Sequence, residues 1–87
     1  CGVTTAGDAY CWGFNFSGAL GDGTMTQRLT PVPVAGGLSV AAVSAGGGHS
    51  CGVTTAGDGY CWGGNSFGDL GDGTTVGSSV PVLVLLP

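Results

Sequence analysis

A chain of 87 residues holds one small domain and no more. Charged residues make up only 7%, with Arg28 the sole base, no Lys and a net charge of −4. Binding to nucleic acid or to an acidic membrane surface is therefore excluded, because neutralising phosphates takes clustered Lys and Arg. No membrane insertion is expected either, since the longest apolar run, residues 80–87, is far short of the ~20 residues that cross a bilayer. Hydrophobic residues at 43% with so little charge reverse the signature of disorder, and 20 Gly without a G-X-Y period is not collagen. Opening on Cys1 without a charged leader, the sequence reads as a mature product or an excised piece.

In chain order, the first element is a hairpin. Residues 4–7, Thr-Thr-Ala-Gly, suit a turn whose last glycine takes a left-handed conformation, a three-residue loop with a bulge. That turn pairs Thr4 with Asp8, Val3 with Ala9, Gly2 with Tyr10 and Cys1 with Cys11. By alternation the cysteines fall at a non-hydrogen-bonded pair, with Cα atoms ~4.5 Å apart, a separation a disulfide accepts. Trp12-Gly13 closes the second strand. A long loop follows, carrying Asn15 and Leu20-Gly21-Asp22-Gly23-Thr24, and then Pro31 and Pro33 block any helix in the best apolar run. Further strands are predicted over Val40–Ala45, His49–Thr54, Gly59–Gly63 and residues 81–85, bounded by glycine turns.

The second half repeats the first. Residues 1–8 recur letter for letter as 51–58, and a shift of fifty superposes 22 of the 37 comparable positions. The recurrence includes Tyr60-Cys61-Trp62-Gly63, Asn65, Gly68, Leu70 through Thr74, Pro81, Val82 and Val84. A period near fifty belongs to propeller blades and solenoid units. Repeat units of this kind seldom stand alone, so the chain is expected to be a fragment of a longer array or one subunit of an assembly. The same register pairs Cys51 with Cys61. Disulfides Cys1–Cys11 and Cys51–Cys61 are the favoured reading, each closing a loop of about ten residues and contributing about 2–3 kcal/mol. A four-thiolate zinc site has poor spacing, because zinc ligands come as close C-x-x-C pairs; unbridged core thiols are the other alternative. Stable bridges place the protein outside the cytosol, extracellular or at the cell surface.

The run SAGGGHSCGVTTAGDGYCWGGNSFGDLGDGT resembles the regulator of chromosome condensation repeat family. The likeness lies in the G-G-x-H-S segment at residues 46–50, the turn at Gly57, Tyr60-Cys61-Trp62-Gly63, and Asn65 through Gly71. Residues 1–37 carry the same pattern from Cys1. The added cysteine pair and the lack of Lys look more like secreted bacterial members. The resemblance implies an all-β fold of propeller blades, each of four antiparallel strands arranged radially. Residues 1–39 would then be a partial blade lacking its innermost strand, and residues 40–87 a second blade. The missing strand would leave an unpaired edge, open to association.

Few side chains invite chemistry. His49 has no second His, no Glu and no nucleophile at a recognisable spacing, and it reads as part of the blade. Asp22 and Asp72 suggest calcium, but one Asp per loop is too few oxygens, and an Asp-centred turn accounts for them better. G-D-G-T lacks the Lys of a phosphate loop. Trp12 and Trp62 recur at the period and read as blade packing, while Asn15 and Asn65 read as ties from loop to backbone. Asn15-Phe16-Ser17 fits a glycosylation sequon that Asn65 does not repeat. No metal and no cofactor is expected, and no enzyme activity, since convergent acid, base or nucleophilic groups are lacking.

The two units differ mainly in the long loop: Phe14/Gly64, Phe16/Ser66, Ser17/Phe67, Ala19/Asp69, and residues 25–30 against 75–80. Phe14, Phe16, Met25 and Arg28 are the candidate partner contacts, aromatics, Met and Arg being enriched at interfaces. The expected function is a non-catalytic extracellular scaffold that binds a protein through variable loops. The alternative is a structural subunit of a surface fibre or sheath, assembled from copies of itself through exposed strand edges.

Overall fold

The structure, a computed structural model, describes residues 1–46, 48–65, 68, 70–74 and 76–84. Within them the regular structure is all β, in two antiparallel sheets. The first holds β1 (Gly2–Val3), β2 (Ala9–Gly13) and β3 (Arg28–Pro33) in the order β1-β2-β3. The second holds β4 (Val40–Ala45), β5 (His49–Thr54), β6 (Gly59–Gly63) and β7 (Ser78–Leu83) in sequence order. By the fifty-residue period β1, β2 and β3 answer to β5, β6 and β7, so the first sheet has no counterpart of β4.

Both hairpins take the register set by their turns. Gly2 pairs with Tyr10 and Val3 with Ala9; Cys51 pairs with Cys61, Gly52 with Tyr60 and Val53 with Gly59. The turn closes through Gly7 N–H to the Thr4 carbonyl at 3.0 Å and Thr4 N–H to the Asp8 carbonyl at 2.9 Å, with Gly7 at φ +89°. A side chain is strained in that conformation, which is why glycine stands there. Cys1 is bridged to Cys11 and Cys51 to Cys61, each pair with Cα atoms 4.0 Å apart.

The last strand differs from expectation. It was predicted over residues 81–85, and it begins instead at Ser78 and runs to Leu83. Proline cannot donate to a ladder, but Pro81 lies where the β6–β7 register shifts between Cys61 and Gly63, so no N–H is needed there. The same shift between Cys11 and Gly13 accommodates Pro31 in β3. Because β3 starts at Arg28, residues 28–30 belong to a strand rather than to the loop expected to contain them. Several sequence readings lie outside the described residues: Leu85 and the 85–87 terminus, the loop differences at Ser66, Phe67, Asp69 and Thr75, and Gly47 of the G-G-x-H-S segment.

The sheets meet face to face. Cys11, Leu20 and Trp62 are buried together, with Cys1, Val32, Val34, Val43 and Tyr60 packed around them. The first unit therefore contributes the side that carries its disulfide, and the second contributes the side that carries its tryptophan.

Candidate interaction surface

The loop between β2 and β3 is organised by Asn15, which is buried. Its Nδ2 donates to the carbonyls of Thr24 at 2.9 Å and Thr26 at 3.0 Å, and its Oδ1 accepts from Leu20 N–H at 3.0 Å. One short amide thus ties both arms of the loop and sets Leu20 in the core. Asn65 repeats the arrangement on Thr74, Val76 and Leu70. A buried amide with its donors and acceptor engaged is a poor glycosylation acceptor, so the sequon at Asn15 has a structural occupant.

Asp22 forms the turn foreseen for it, its Oδ1 accepting from Thr24 N–H at 2.9 Å and Thr24 Oγ1 at 2.8 Å. Burial pushes its carboxyl upward. The Thr24 hydroxyl and amide, the Asn15 amide and the nearby Arg28 outweigh that and hold it below its ordinary value. Asp72 is held down by the Thr74 hydroxyl and amide, against a smaller opposing effect of burial. Arg28 Nε lies 3.4 Å from Asp22 Oδ2. Arg28, one of the four candidate contacts, thus pairs within its own unit while its side chain stays 40% exposed.

Of the other candidate contacts, Phe14 and Phe16 are brought together. Their rings stack with centroids 5.7 Å apart, and they are 74% and 85% exposed. Met25 is exposed as well. His49 sits in β5 opposite Gly63, and its carbonyl accepts from Gly46 N–H at 2.8 Å. No group of three metal-ligating side chains occurs among the described residues.

Sequence reasoning did not single out the joint between the units. The Ala19 carbonyl accepts from Trp62 Nε1 at 3.0 Å and from Ser50 Oγ at 2.9 Å. Gly21 lies so close over the indole that a Cβ there would fall 2.7 Å from Trp62 Nε1, and Gly23 N–H donates to the Ser79 carbonyl at 2.9 Å. Ser17 Oγ completes the seam by donating to the Gly48 carbonyl at 2.7 Å. The consequence is an asymmetry between identical motifs: Trp62 is 1% exposed and Trp12 47%. The only sequence signal was the recurrence of glycines around each Leu-Gly-Asp-Gly, which marks close approach without saying to what.

The family model for the Regulator of chromosome condensation (RCC1) repeat matches residues 6–53 and 56–87, and a second model of the same description matches residues 40–69. A crystal structure of human WBSCR16 is similar in fold, with a TM-score of 0.80 and 24% identity over 97% of this chain and 22% of that one. The chain thus spans about a fifth of that protein's length. No curated protein sequence matches it.

Proposed function

Because this chain belongs to the Regulator of chromosome condensation repeat family of β-propeller blades, we propose that it is a non-catalytic extracellular scaffold which holds a protein partner through the variable loop after β2. Residues 1–39 serve as a blade without its innermost strand and residues 40–87 as the second blade. The observation that carries this reading is the exposed, stacked pair Phe14–Phe16. Two aromatic rings held together in water contribute little to the fold, yet burying each against a partner is worth about 1.5–3 kcal/mol. The second unit has Gly and Ser at these places, so the pair is particular to one loop while the framework repeats. Two disulfides are compatible with the extracellular location.

The test is a photo-crosslinking residue, p-benzoylphenylalanine, placed at Phe16 in the intact protein and irradiated at the surface of its native cell. A discrete adduct with one other protein is expected at position 16, lost on Phe14→Ser and absent when the probe stands at the exposed Thr5. Equal labelling from both positions, or an adduct of two copies of this chain, would refute the reading. A second reading, a structural subunit of a surface fibre or sheath, is favoured by one observation: Trp12 stands open where Trp62 is covered.

A further inference from the structure

The hairpins at residues 1–13 and 51–63 differ at one position, Ala9 against Gly59. The fold does not ask for that glycine. Its φ lies outside the left-handed region, and a Cβ built on it would meet Val84 at 3.7 Å, an ordinary contact. What the exchange does alter is the neighbour of an aspartate, since Asp8-Ala9 becomes Asp58-Gly59. Both aspartates are exposed, and Asp8 is so with the second unit packed after it, so the position faces solvent in either unit. Their backbones are also held alike. Asp8 N–H donates to Thr4 Oγ1 and Asp58 N–H to Thr54 Oγ1, each at 3.1 Å. Their carbonyls accept from Thr4 N–H at 2.9 Å and from Thr54 N–H at 2.8 Å.

An aspartate followed by glycine can close a ring on itself. The amide nitrogen of the next residue attacks Cγ, and the N–Cγ bond forms as the carboxyl hydroxyl and the amide proton leave together as water. A second water then opens the succinimide. Its addition at Cγ restores aspartate, whereas addition at the α-carbonyl routes the main chain through Cβ and leaves isoaspartate. A side chain on the following residue obstructs the attack. Hydrogen bonds to the carboxylate slow it as well, because they favour the charged form, which is a poor electrophile.

The structure separates the aspartates on these grounds. Asp22-Gly23 and Asp72-Gly73 are also Asp-Gly pairs, but their carboxylates are fastened. Asp22 Oδ1 accepts from Thr24 N–H at 2.9 Å and Oγ1 at 2.8 Å, and Asp72 Oδ1 accepts from Thr74 N–H at 3.0 Å and Oγ1 at 2.8 Å. Gly23 N–H is engaged besides, by the Ser79 carbonyl at 2.9 Å. Asp8 and Asp69 precede residues with side chains: Ala9 is buried, and Leu70 N–H is held by Asn65 Oδ1 at 2.9 Å. Among the described aspartates, Asp58 alone is both exposed and followed by glycine.

We propose that Asp58 is a modification site, at which the folded chain isomerises spontaneously to isoaspartate through ring closure by the Gly59 nitrogen. The product has one more backbone atom between Gly57 and Cys61, inside the hairpin that pairs Val53 with Gly59 and Cys51 with Cys61. It also presents a free α-carboxylate at an exposed position, the group that isoaspartyl methyltransferases esterify. The first hairpin, with Ala9, keeps its aspartate, so the two units age differently.

The test ages the disulfide-bonded protein in mildly acidic buffer at physiological temperature, beside Gly59→Ala and a linear peptide of residues 51–63. Methyl transfer from S-adenosylmethionine by a purified isoaspartyl methyltransferase counts the isoaspartate. Endoproteinase Asp-N, which cuts before aspartate but not before isoaspartate, locates it after reduction and unfolding. In wild type, methyl acceptance is expected to rise while the cut before Asp58 is lost and those before Asp8, Asp22 and Asp72 persist. Gly59→Ala carries the residue that the first hairpin already has. It should keep its cut at Asp58 and accept several-fold less methyl. A wild-type cut at Asp58 that outlasts isomerisation of the peptide, or equal loss at Asp8, Asp22 or Asp72, would overturn the proposal. So would a Gly59→Ala variant that isomerises as fast as wild type. None of these outcomes bears on crosslinking of a partner through Phe16.

Discussion

Replacing Asn15 by Ala tests whether the loop is held by one side chain. Three short hydrogen bonds vanish: those to the Thr24 and Thr26 carbonyls and that from Leu20 N–H. Thr26 is exposed and Thr24 half-buried, so water reaches their carbonyls in place of the amide and each bond costs about 0.5–1 kcal/mol. Leu20 N–H is buried, and leaving it unpaired costs about 1–3 kcal/mol. The loss is about 3 kcal/mol in all, a large share of the 5–15 kcal/mol typical of a domain. The damage should also travel, because Leu20 packs on Trp62 and the neighbouring Ala19 carbonyl accepts from its indole. Asn65→Ala removes the same three bonds from a loop whose described glycines Gly68 and Gly71 have no tryptophan within 4 Å. Urea denaturation, read with the slope unchanged, should therefore show similar losses for both variants. Acrylamide quenching of Trp62 in the folded state should rise only for Asn15→Ala. A loss under about 1 kcal/mol, or equal effects on Trp62 from both variants, would refute the reasoning.

Gly21→Ala and Gly37→Ala share a strained φ, +69° and +62°, but only Gly21 faces an obstacle. Both should lose about 1 kcal/mol for the backbone, and Gly21→Ala a further 1–3 kcal/mol for overpacking against Trp62, measured by urea midpoints; equal losses would show that the close approach is unimportant. Asp22 and Asp72 both lie below the ordinary 3.8 when folded, so the unfolded chain binds more protons as acid is added. Their contribution should be complete above 3.8 and fall away as pH drops through the folded values, and Asp22→Asn with Asp72→Asn should flatten that decline in an acid titration of stability. Stability rising as pH falls through that window would contradict the assignment. Paired Cys51→Ser and Cys61→Ser should cost about 2–3 kcal/mol by restoring freedom to the unfolded loop, visible as a lower denaturation midpoint that reductant lowers further only through Cys1–Cys11. Gly64→Phe should open the seam between the units, since a Cβ there already lies 3.2 Å from the Gly48 carbonyl and, across the seam, 3.6 Å from Ser17 Cβ. The reverse exchange, Phe14→Gly, should leave stability within about 0.5 kcal/mol, and a large loss in thermal unfolding would show that the ring belongs to the fold.

What could be read from the sequence was local. The position of Gly7 in its turn fixed which residues face each other, and the opposed cysteines followed from that register alone. Asn15 and Asp22 were legible because short polar side chains among glycines bond the nearest backbone. Arg28 was not, since its ion pair with Asp22 depends on a strand starting three residues before its proline. Trp12 and Trp62 mark the limit. Both stand in the same Tyr-Cys-Trp-Gly, and nothing local distinguishes them. Their exposures diverge because one has a neighbouring loop above it and the other does not, a fact about the succession of units.

That divergence measures what a joint contributes. An indole side chain buries 150–250 Å², so moving from 47% to 1% exposure removes about 100 Å² from water, worth about 2.5 kcal/mol. The hydrogen bond from Trp62 Nε1 to the Ala19 carbonyl adds about 1 kcal/mol. One tryptophan at one joint thus weighs as much as one disulfide. In a repeat array stability is close to a sum of unit terms and nearest-neighbour terms. Between the two units described, the joint around Trp62 is such a nearest-neighbour term. The bridges Cys1–Cys11 and Cys51–Cys61 constrain each unit from within, and the joint constrains one unit against the other.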